Sequence, residues 1–183
     1  GRFGMTRMVP WIKREFTGGD ESRFHALYSG SMDTDLMFLA NKMRAAAAKG
    51  ELGRLELDPK LAARKEEFIA LQMRQMTEVP EFIARLTNEL RGRRVFMTNT
   101  YNLMYNLAAA GLAEGGRADF APNSAILTGG GAKGQVLPEG YMDVIREFYG
   151  GVRIQEGYSF SEHNGVHFAC EHSRYHIQPW VIP

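Results

Sequence analysis

Residues 95–128 read VFMTNTYNLMYNLAAAGLAEGGRADFAPNSAILT, and residues 152–155 add VRIQ. Three short apolar runs, at 95–98, 124–128 and 152–155, have the length and composition of buried strands. Helical patterns at 103–112 and 138–149 separate them. Strands joined through helices run parallel, because the chain has to cross back between them. The β-α-β-α-β order therefore predicts an α/β fold: a parallel, flavodoxin-like sheet with right-handed crossovers and helices over its faces.

The flanking segments predict simpler structure. Residues 1–32 show little periodicity and predict loops and short elements, whereas Asp33 is a suitable cap for a helix that ends at Gly50. A second helix opens at Asp58-Pro59, and Pro80 should end or kink it. Apolar runs at 166–170 and 175–182 predict a hairpin or added edge strands. We therefore expect two regions: a loop and helical segment at 1–93, and an α/β nucleotide-binding subdomain at 94–183 that is truncated at its C-terminal end.

Composition narrows the class of protein. The chain has 183 residues, 44% of them hydrophobic and 23% charged, with a net charge of +1. These values are typical of a globular domain and exclude a disordered tail, a collagen-like repeat and a disulfide scaffold. The small net charge gives no strong field to attract nucleic acid or a membrane surface. No apolar run is long enough for a membrane span, and the single cysteine favours a cytoplasmic location.

Ligands of parallel sheets bind beyond the carboxyl ends of the strands. Three loops, at 98–102, 129–134 and 156–162, should therefore converge on one rim. Glycines at 129–131 would let backbone amides approach a phosphate or a flat base. In the third loop, Tyr158 suits base stacking, Ser161 a phosphate oxygen and Glu162 a magnesium ion. The alternative is a structural turn followed by a surface loop with an ordinary capping serine and glutamate.

These residues resemble a known family. Thr128-Gly-Gly-Gly-Ala-Lys-Gly, followed downstream by Gly157-Tyr158-Ser159-Phe160-Ser161-Glu162, is similar to two motifs of the adenylate-forming superfamily. Residues 168–176, FACEHSRYH, are similar to a stretch in one branch, the phenylacetate–CoA ligases and acyl-protein synthetases. The chain departs from the family at Ser159, where glycine is usual, and at Ala169 and Ser173.

The resemblance implies an ATP-dependent, AMP-forming ligase. A carboxylic acid would attack the α-phosphate of ATP, and a thiol (CoA or protein) or an amine would then take the acyl group. Ser161 and Glu162 would be the catalytic residues, with Glu162 holding Mg²⁺. The nucleotide would be bound by a set of loop residues: Gly129, Gly130, Gly131, Tyr158, Ser159 and Ser161. The best local candidates for lining the acid site are Thr98, Asn99 and Tyr101.

Other parts of that family have no counterpart in this sequence. Residues 1–97 contain no Ser/Thr/Gly-rich phosphate loop, and no ribose-binding aspartate or C-terminal lysine domain follows the second motif. We therefore expect the chain to be the central part of such an enzyme, which needs the remainder or a partner chain, or associates with its own copies. Two alternatives are a non-catalytic nucleotide-binding or scaffolding module and a stand-alone flavodoxin-like nucleotide binder.

A histidine-rich segment raises a separate hypothesis. Four of the five histidines lie at 163–176, together with the only cysteine. The spacing of Cys170, His172 and His176 would supply three zinc ligands, with Cys170 and His172 on one side of a strand. The alternative is a strand with polar residues near a substrate or a domain interface. A third option is Cys170 as an acyl-accepting nucleophile.

Overall fold

One open mixed sheet of four strands organises the C-terminal half of the chain in the computed structural model. The structure describes residues 2–28, 34–129, 136–158, 167–172 and 174–176. The strands are β1 (Phe96–Asn99), β2 (Ala125–Gly129), β3 (Arg153–Tyr158) and β4 (His167–Phe168). The helices are α1 (Arg2–Thr17), α2 (Thr34–Ala48), α3 (Pro59–Ala62), α4 (Lys65–Ala84), α5 (Tyr101–Ala113) and α6 (Tyr141–Tyr149). The α/β class predicted from the sequence is confirmed.

Strand order in the sheet follows chain order, β1-β2-β3-β4. The first three strands are parallel as predicted, while β4 pairs antiparallel with β3. A bridge between Ala169 and Tyr175 returns the chain beside β4. A short hairpin therefore forms at the sheet edge, one of the two alternatives predicted for this segment, and it makes the sheet mixed. Residues 177–182 of the second predicted run lie outside the described residues.

The two crossover helices lie together. Successive strands are added in one direction, so right-handed crossovers place α5 and α6 on the same face of the sheet. They pack closely, because a Cβ at Gly111 of α5 would overlap the ring of Phe148 in α6.

Burial alternates along β2 as this arrangement requires. Ile126 is fully buried, whereas its neighbours Ala125 and Leu127 are half-buried. We call the side of the sheet that carries Ile126 the inner face, the one covered by α5 and α6. The large, fully buried side chains of these helices complete the core: Met104, Leu107, Ile145, Phe148 and Tyr149. This core fixes the strand ends on which the candidate site is built.

The N-terminal segment differs from its prediction. Residues expected to form loops instead form α1, which continues through Pro10. Near its end, the Phe16 ring stacks on Phe96 of β1 with centroids 3.8 Å apart. Phe96 is one residue out of phase with the inner face, so this contact lies on the opposite side of the sheet. A distant strand residue thus stabilises a helix that local periodicity does not reveal.

The chain forms two compact units. One comprises Gly1–His25 with Ile83–Pro183, and the other comprises Ala26–Phe82. The second unit has its own core of five buried residues: Leu36, Leu39, Ala40, Leu61 and Phe68. The predicted boundary at residue 93 lies where the helical segment gives way to alternating strands and helices. That this boundary separates two domains stays a prediction.

Helix ends in the second unit follow local chemistry, with one exception. Asp58 caps α3 by accepting from the Lys60 amide at 2.9 Å, and Pro59 takes the first helical position, as predicted. Gly50 follows α2 with φ +70°, which suits a helix stop, although Asp33 lies outside the described residues. Pro80, in contrast, does not end α4, which continues to Ala84. In the described ranges no helix is both long and apolar enough to cross a membrane.

The close approach of Gly111 to Phe148 gives a stability prediction. We expect Gly111→Ala to lower the free energy of unfolding by about 1–3 kcal/mol, because the added methyl group overpacks the interface between α5 and α6. Urea unfolding followed by near-ultraviolet circular dichroism would measure the change. Adding Phe148→Leu should recover part of the loss, since it makes room for the methyl group.

The matched control is Gly53→Ala, because a Cβ at Gly53 has no atom within 4 Å. We expect it to change stability by less than about 0.5 kcal/mol. An equal loss in both variants would show that backbone effects, rather than helix packing, determine the cost.

Candidate functional site

A row of polar side chains crosses the inner face at the carboxyl ends of the three parallel strands. Register pairs Asn99 of β1 with Thr128 of β2, and Thr128 with Glu156 of β3. Residues paired in this way project from the same face, and adjacent strands lie about 4.8 Å apart. An amide, a hydroxyl and a carboxylate therefore stand side by side. We call these three residues the polar row.

Thr128 is the buried centre of the row. Its side chain is 2% exposed, and its Oγ1 has no hydrogen-bond partner in the part of the chain that the structure describes. Ser124, just before β2, is equally buried but well bonded: its Oγ accepts from the Val95 amide at 2.9 Å and donates to the Arg93 carbonyl at 3.3 Å. Burying an unpaired hydroxyl costs free energy, so the position of Thr128 is consistent with a ligand-facing group.

Glu156 is held by the edge hairpin. The Tyr175 hydroxyl donates to its Oε1 at 2.6 Å, and its backbone carbonyl accepts from the Ala169 amide at 2.9 Å. Gln155 secures the same hairpin by donating from Nε2 to the Ala169 carbonyl at 2.6 Å. The hydrogen bond to Glu156 raises the pKa of Tyr175 to about 12, because the phenolate would face a negative charge. Tyr175 therefore stays neutral and keeps donating at ordinary pH.

Four tyrosines surround this end of the sheet. Tyr158 and Tyr175 lie with ring centroids 5.6 Å apart, and Tyr101 meets Tyr141 edge-on at 5.9 Å. Burial raises the pKa of Tyr101, and the charge of Glu156 adds to that shift. Tyr175 is bonded to Glu156 directly, while Tyr101 and Tyr141 begin α5 and α6 and Tyr158 ends β3. We call these four residues the tyrosine cluster. The tyrosine cluster therefore gives this end of the sheet an aromatic environment that contains one acidic group, Glu156.

The predicted loop residues are only partly brought together. Asn99 and Tyr101 lie at this site, whereas Thr98 is exposed and projects from the opposite face of β1. Tyr158 is 51% exposed, which leaves its ring accessible. Gly129 lies tightly against β3, since a Cβ there would be 2.5 Å from the Gly157 carbonyl oxygen. Five further predicted residues lie outside the described ranges: Gly130, Gly131, Ser159, Ser161 and Glu162.

The proposed zinc ligands are not gathered into one group. Cys170 and His176 are joined by a side-chain hydrogen bond that lowers the pKa of the thiol to about 7. His172 lies in the turn of the hairpin rather than on a strand, with its side chain exposed beside Glu171. Within the described residues, no three His, Cys, Asp or Glu side chains are placed to hold a metal ion. Zinc binding stays a prediction.

Several residues of the site were not predicted from the sequence. Thr128 entered only as the first residue of a motif, and Glu156, Tyr141 and Tyr175 had no predicted role. The signal for the first two was available: each is a polar residue near the carboxyl end of its strand, in phase with the buried position Ile126. The tyrosines come from separate elements, so their meeting depends on tertiary structure.

Comparison with known proteins gives no match: no family model, no curated protein and no solved structure is significantly similar to the chain. The resemblance to the adenylate-forming superfamily therefore rests on its sequence motifs, and it stays a prediction.

The unpaired hydroxyl gives a test with an internal control. We expect Thr128→Val to raise the free energy of unfolding by about 1 kcal/mol, because it removes a buried polar group that has no partner in the described structure. Ser124→Ala should lower it by about 1–3 kcal/mol, since the Val95 amide loses its acceptor. Urea unfolding of both variants measures the contrast. A loss of stability in Thr128→Val would mean that this hydroxyl is bonded after all.

The only thiol gives a kinetic test. Cys170 should react with iodoacetamide with an apparent pKa of about 7. Replacing His176 with Phe removes the hydrogen bond, so the pKa should rise toward the ordinary value of about 8.5 and the rate at pH 7 should fall about fivefold or more. His172→Phe is the control, because the exposed ring of His172 makes no such bond to the thiol. An equal fall in both variants would contradict the specific pairing of Cys170 with His176.

Proposed function

We propose that this chain binds an adenine nucleotide at the carboxyl ends of β1–β3 and forms the central part of an ATP-dependent, AMP-forming acyl-activating enzyme. In this proposal the sheet is a subdomain of an adenylate-forming large domain. A carboxylic acid is converted to an acyl-adenylate, which then passes its acyl group to a thiol or an amine.

One observation carries the proposal: the two motif segments emerge side by side from β2 and β3. Gly129 and Gly157 are register partners with no side chains between them, and the accessible ring of Tyr158 follows directly. Bare backbone beside an aromatic face suits a flat purine, which needs a stacking surface and edge-on hydrogen bonds. The order of these segments along the chain also matches the order of the family motifs.

The N-terminus of α5, which lies beside these strand ends, favours a ligand that carries an anionic group. Thr100 caps α5, with its Oγ1 accepting from the Leu103 amide at 3.4 Å. Backbone amides of the first helical turn then point toward the strand ends, where they favour a phosphate or a carboxylate. Asn99 and Tyr101 flank this turn and are the proposed contacts to the acid.

The roles assigned to the second motif complete the proposal. Ser161 would bind the α-phosphate, and Glu162 would hold the Mg²⁺ that neutralises charge on the phosphate oxygens. Catalysis in such a site comes from positioning the acid in line with the α-phosphate and from stabilising the charge that develops there. The chain's part in this is to fix the nucleotide by its base and by its phosphate.

Nucleotide binding by the chain tests the proposal. Calorimetric titration with AMP should give saturable binding, and Tyr158→Ala should weaken it about tenfold, because base stacking contributes about 1–3 kcal/mol. Tyr158→Phe keeps the ring and should stay within about twofold of the parent chain. Equal affinity in the parent and Tyr158→Ala chains would overturn the proposed base site.

A second measurement separates the enzyme from a non-catalytic nucleotide-binding module, the alternative favoured by the departure at Ser159. An acyl-sulfamoyl adenosine mimics the acyl-adenylate, and an acyl-activating site should bind it at least about a hundredfold more tightly than AMP. A plain nucleotide-binding module would bind the two alike. With MgATP and a panel of acids we expect no pyrophosphate release from the chain alone, and sustained release would contradict its being only a central part.

A further inference from the structure

We propose that the polar row and the tyrosine cluster together bind the primary ammonium group of a small organic molecule. The inference deepens the proposed function, on which it rests for the ligand's part in the reaction: the ammonium would belong either to the acid that is activated or to the amine that accepts the acyl group. The argument for the cation itself depends only on the side chains at the site.

Charge gives the first argument. Glu156 is a half-buried carboxylate whose side-chain oxygen accepts from the neutral Tyr175 hydroxyl. In the described ranges no Lys, Arg or His side chain forms an ion pair with it. A neutral hydrogen-bond donor orients a carboxylate but does not cancel its charge. A cationic ligand would do so, whereas an anionic ligand at this position would be repelled.

The neighbouring groups supply further acceptors. The Thr128 hydroxyl is buried and has no partner in the described structure, and it stands beside Glu156 on the same face. Asn99 Oδ1 accepts one hydrogen bond, from the Thr100 amide at 2.8 Å, and a carbonyl oxygen has room for a second. A primary ammonium carries three N–H donors, which matches a row of oxygen acceptors.

The tyrosine cluster favours an organic cation over a metal ion as the ligand. Tyrosine faces attract ammonium groups through their ring quadrupoles, and the hydrocarbon part of an amine can pack against the same rings. A divalent metal ion held by protein side chains alone would instead take several ligands such as carboxylate oxygens. Within the described residues, no group of three His, Cys, Asp or Glu side chains is placed to hold a metal ion. The combination of one carboxylate, one buried hydroxyl and four tyrosines therefore matches a small amine.

The test uses the full chain without nucleotide. Titration with n-butylammonium chloride, followed by amide chemical shifts in NMR spectra, should give saturable shifts at the strand ends. The uncharged n-butanol, and sodium chloride at equal ionic strength, should give none. If n-butanol or sodium chloride produces the same shifts, the ammonium site is overturned.

Substitutions locate the binding. Glu156→Gln removes the charge but keeps an oxygen for Tyr175, and we expect it to weaken n-butylammonium binding at least tenfold. Thr128→Val should weaken it severalfold. The matched control is Asp143→Asn, which also removes one carboxylate charge but from an exposed position in the first turn of α6, and it should stay within about twofold. Equal effects of Glu156→Gln and Asp143→Asn would overturn the assignment.

Two comparisons complete the design. Tighter binding of 4-aminobutyrate than of n-butylammonium would identify the ligand as an amino-bearing acid, and the reverse order would identify it as an acceptor amine; both results support the site. AMP binding is measured separately. Loss of AMP binding with retained ammonium binding would overturn the proposed function alone, and the opposite result would overturn this inference alone.

Discussion

The pairing of β2 with a parallel neighbour on each side is the constraint on which the site depends. Its register places Asn99, Thr128 and Glu156 at one level and on one face. A shift of one residue in either pairing would send one of these side chains to the other face. The burial of Ile126 opposes a shift of β2 itself, because that shift would expose Ile126 and bury Leu127 in its place. The hydrophobic core thus sets the alignment of three polar groups.

The edge hairpin adds the remaining chemistry with few residues. Gln155 and Glu156 bind its backbone, and the return of the chain then brings Tyr175 to the Glu156 carboxylate. Cys170 and His176 pair in the same hairpin. An edge that would otherwise present unpaired backbone groups to solvent is therefore covered by the segment that completes the site.

Much of the fold was predictable because it depends on local signals. The three parallel strands, their crossover helices, the cap at Asp58 and the hairpin all follow from periodicity and turn chemistry. The prediction for residues 1–32 was wrong at 2–17, where α1 forms and its Phe16 contacts Phe96, a residue far away in the chain. It was right at 18–28, where a turn and one short 3-10 helix lie. Pro80 does not end α4, because proline disfavours a helix interior without forbidding it, and the alternative of a kink there stays a prediction.

The site was predictable to a lesser extent, for a related reason. The rule for parallel sheets pointed to the strand ends where the candidate site lies, and it selected Asn99, Tyr101 and Tyr158. Strand alternation explains why Thr98, adjacent to Asn99, projects from the other face. The alternation of side chains along β3 also indicates Glu156, once the buried positions of β3 are aligned with those of β2. The approach of Tyr175 to Glu156 depends on a hairpin register that no local signal in the sequence specifies.

Strand order has a consequence for how the domain is made. Because β1, β2 and β3 are neighbours in both space and sequence, each strand pairs with the one synthesised just before it. Pairing between strands that are close in sequence keeps the entropic cost of loop closure low. It also lets the sheet grow by one crossover at a time as the chain leaves the ribosome. The hairpin that bears Tyr175 is added last. The sheet can therefore be assembled before the final group of the site arrives.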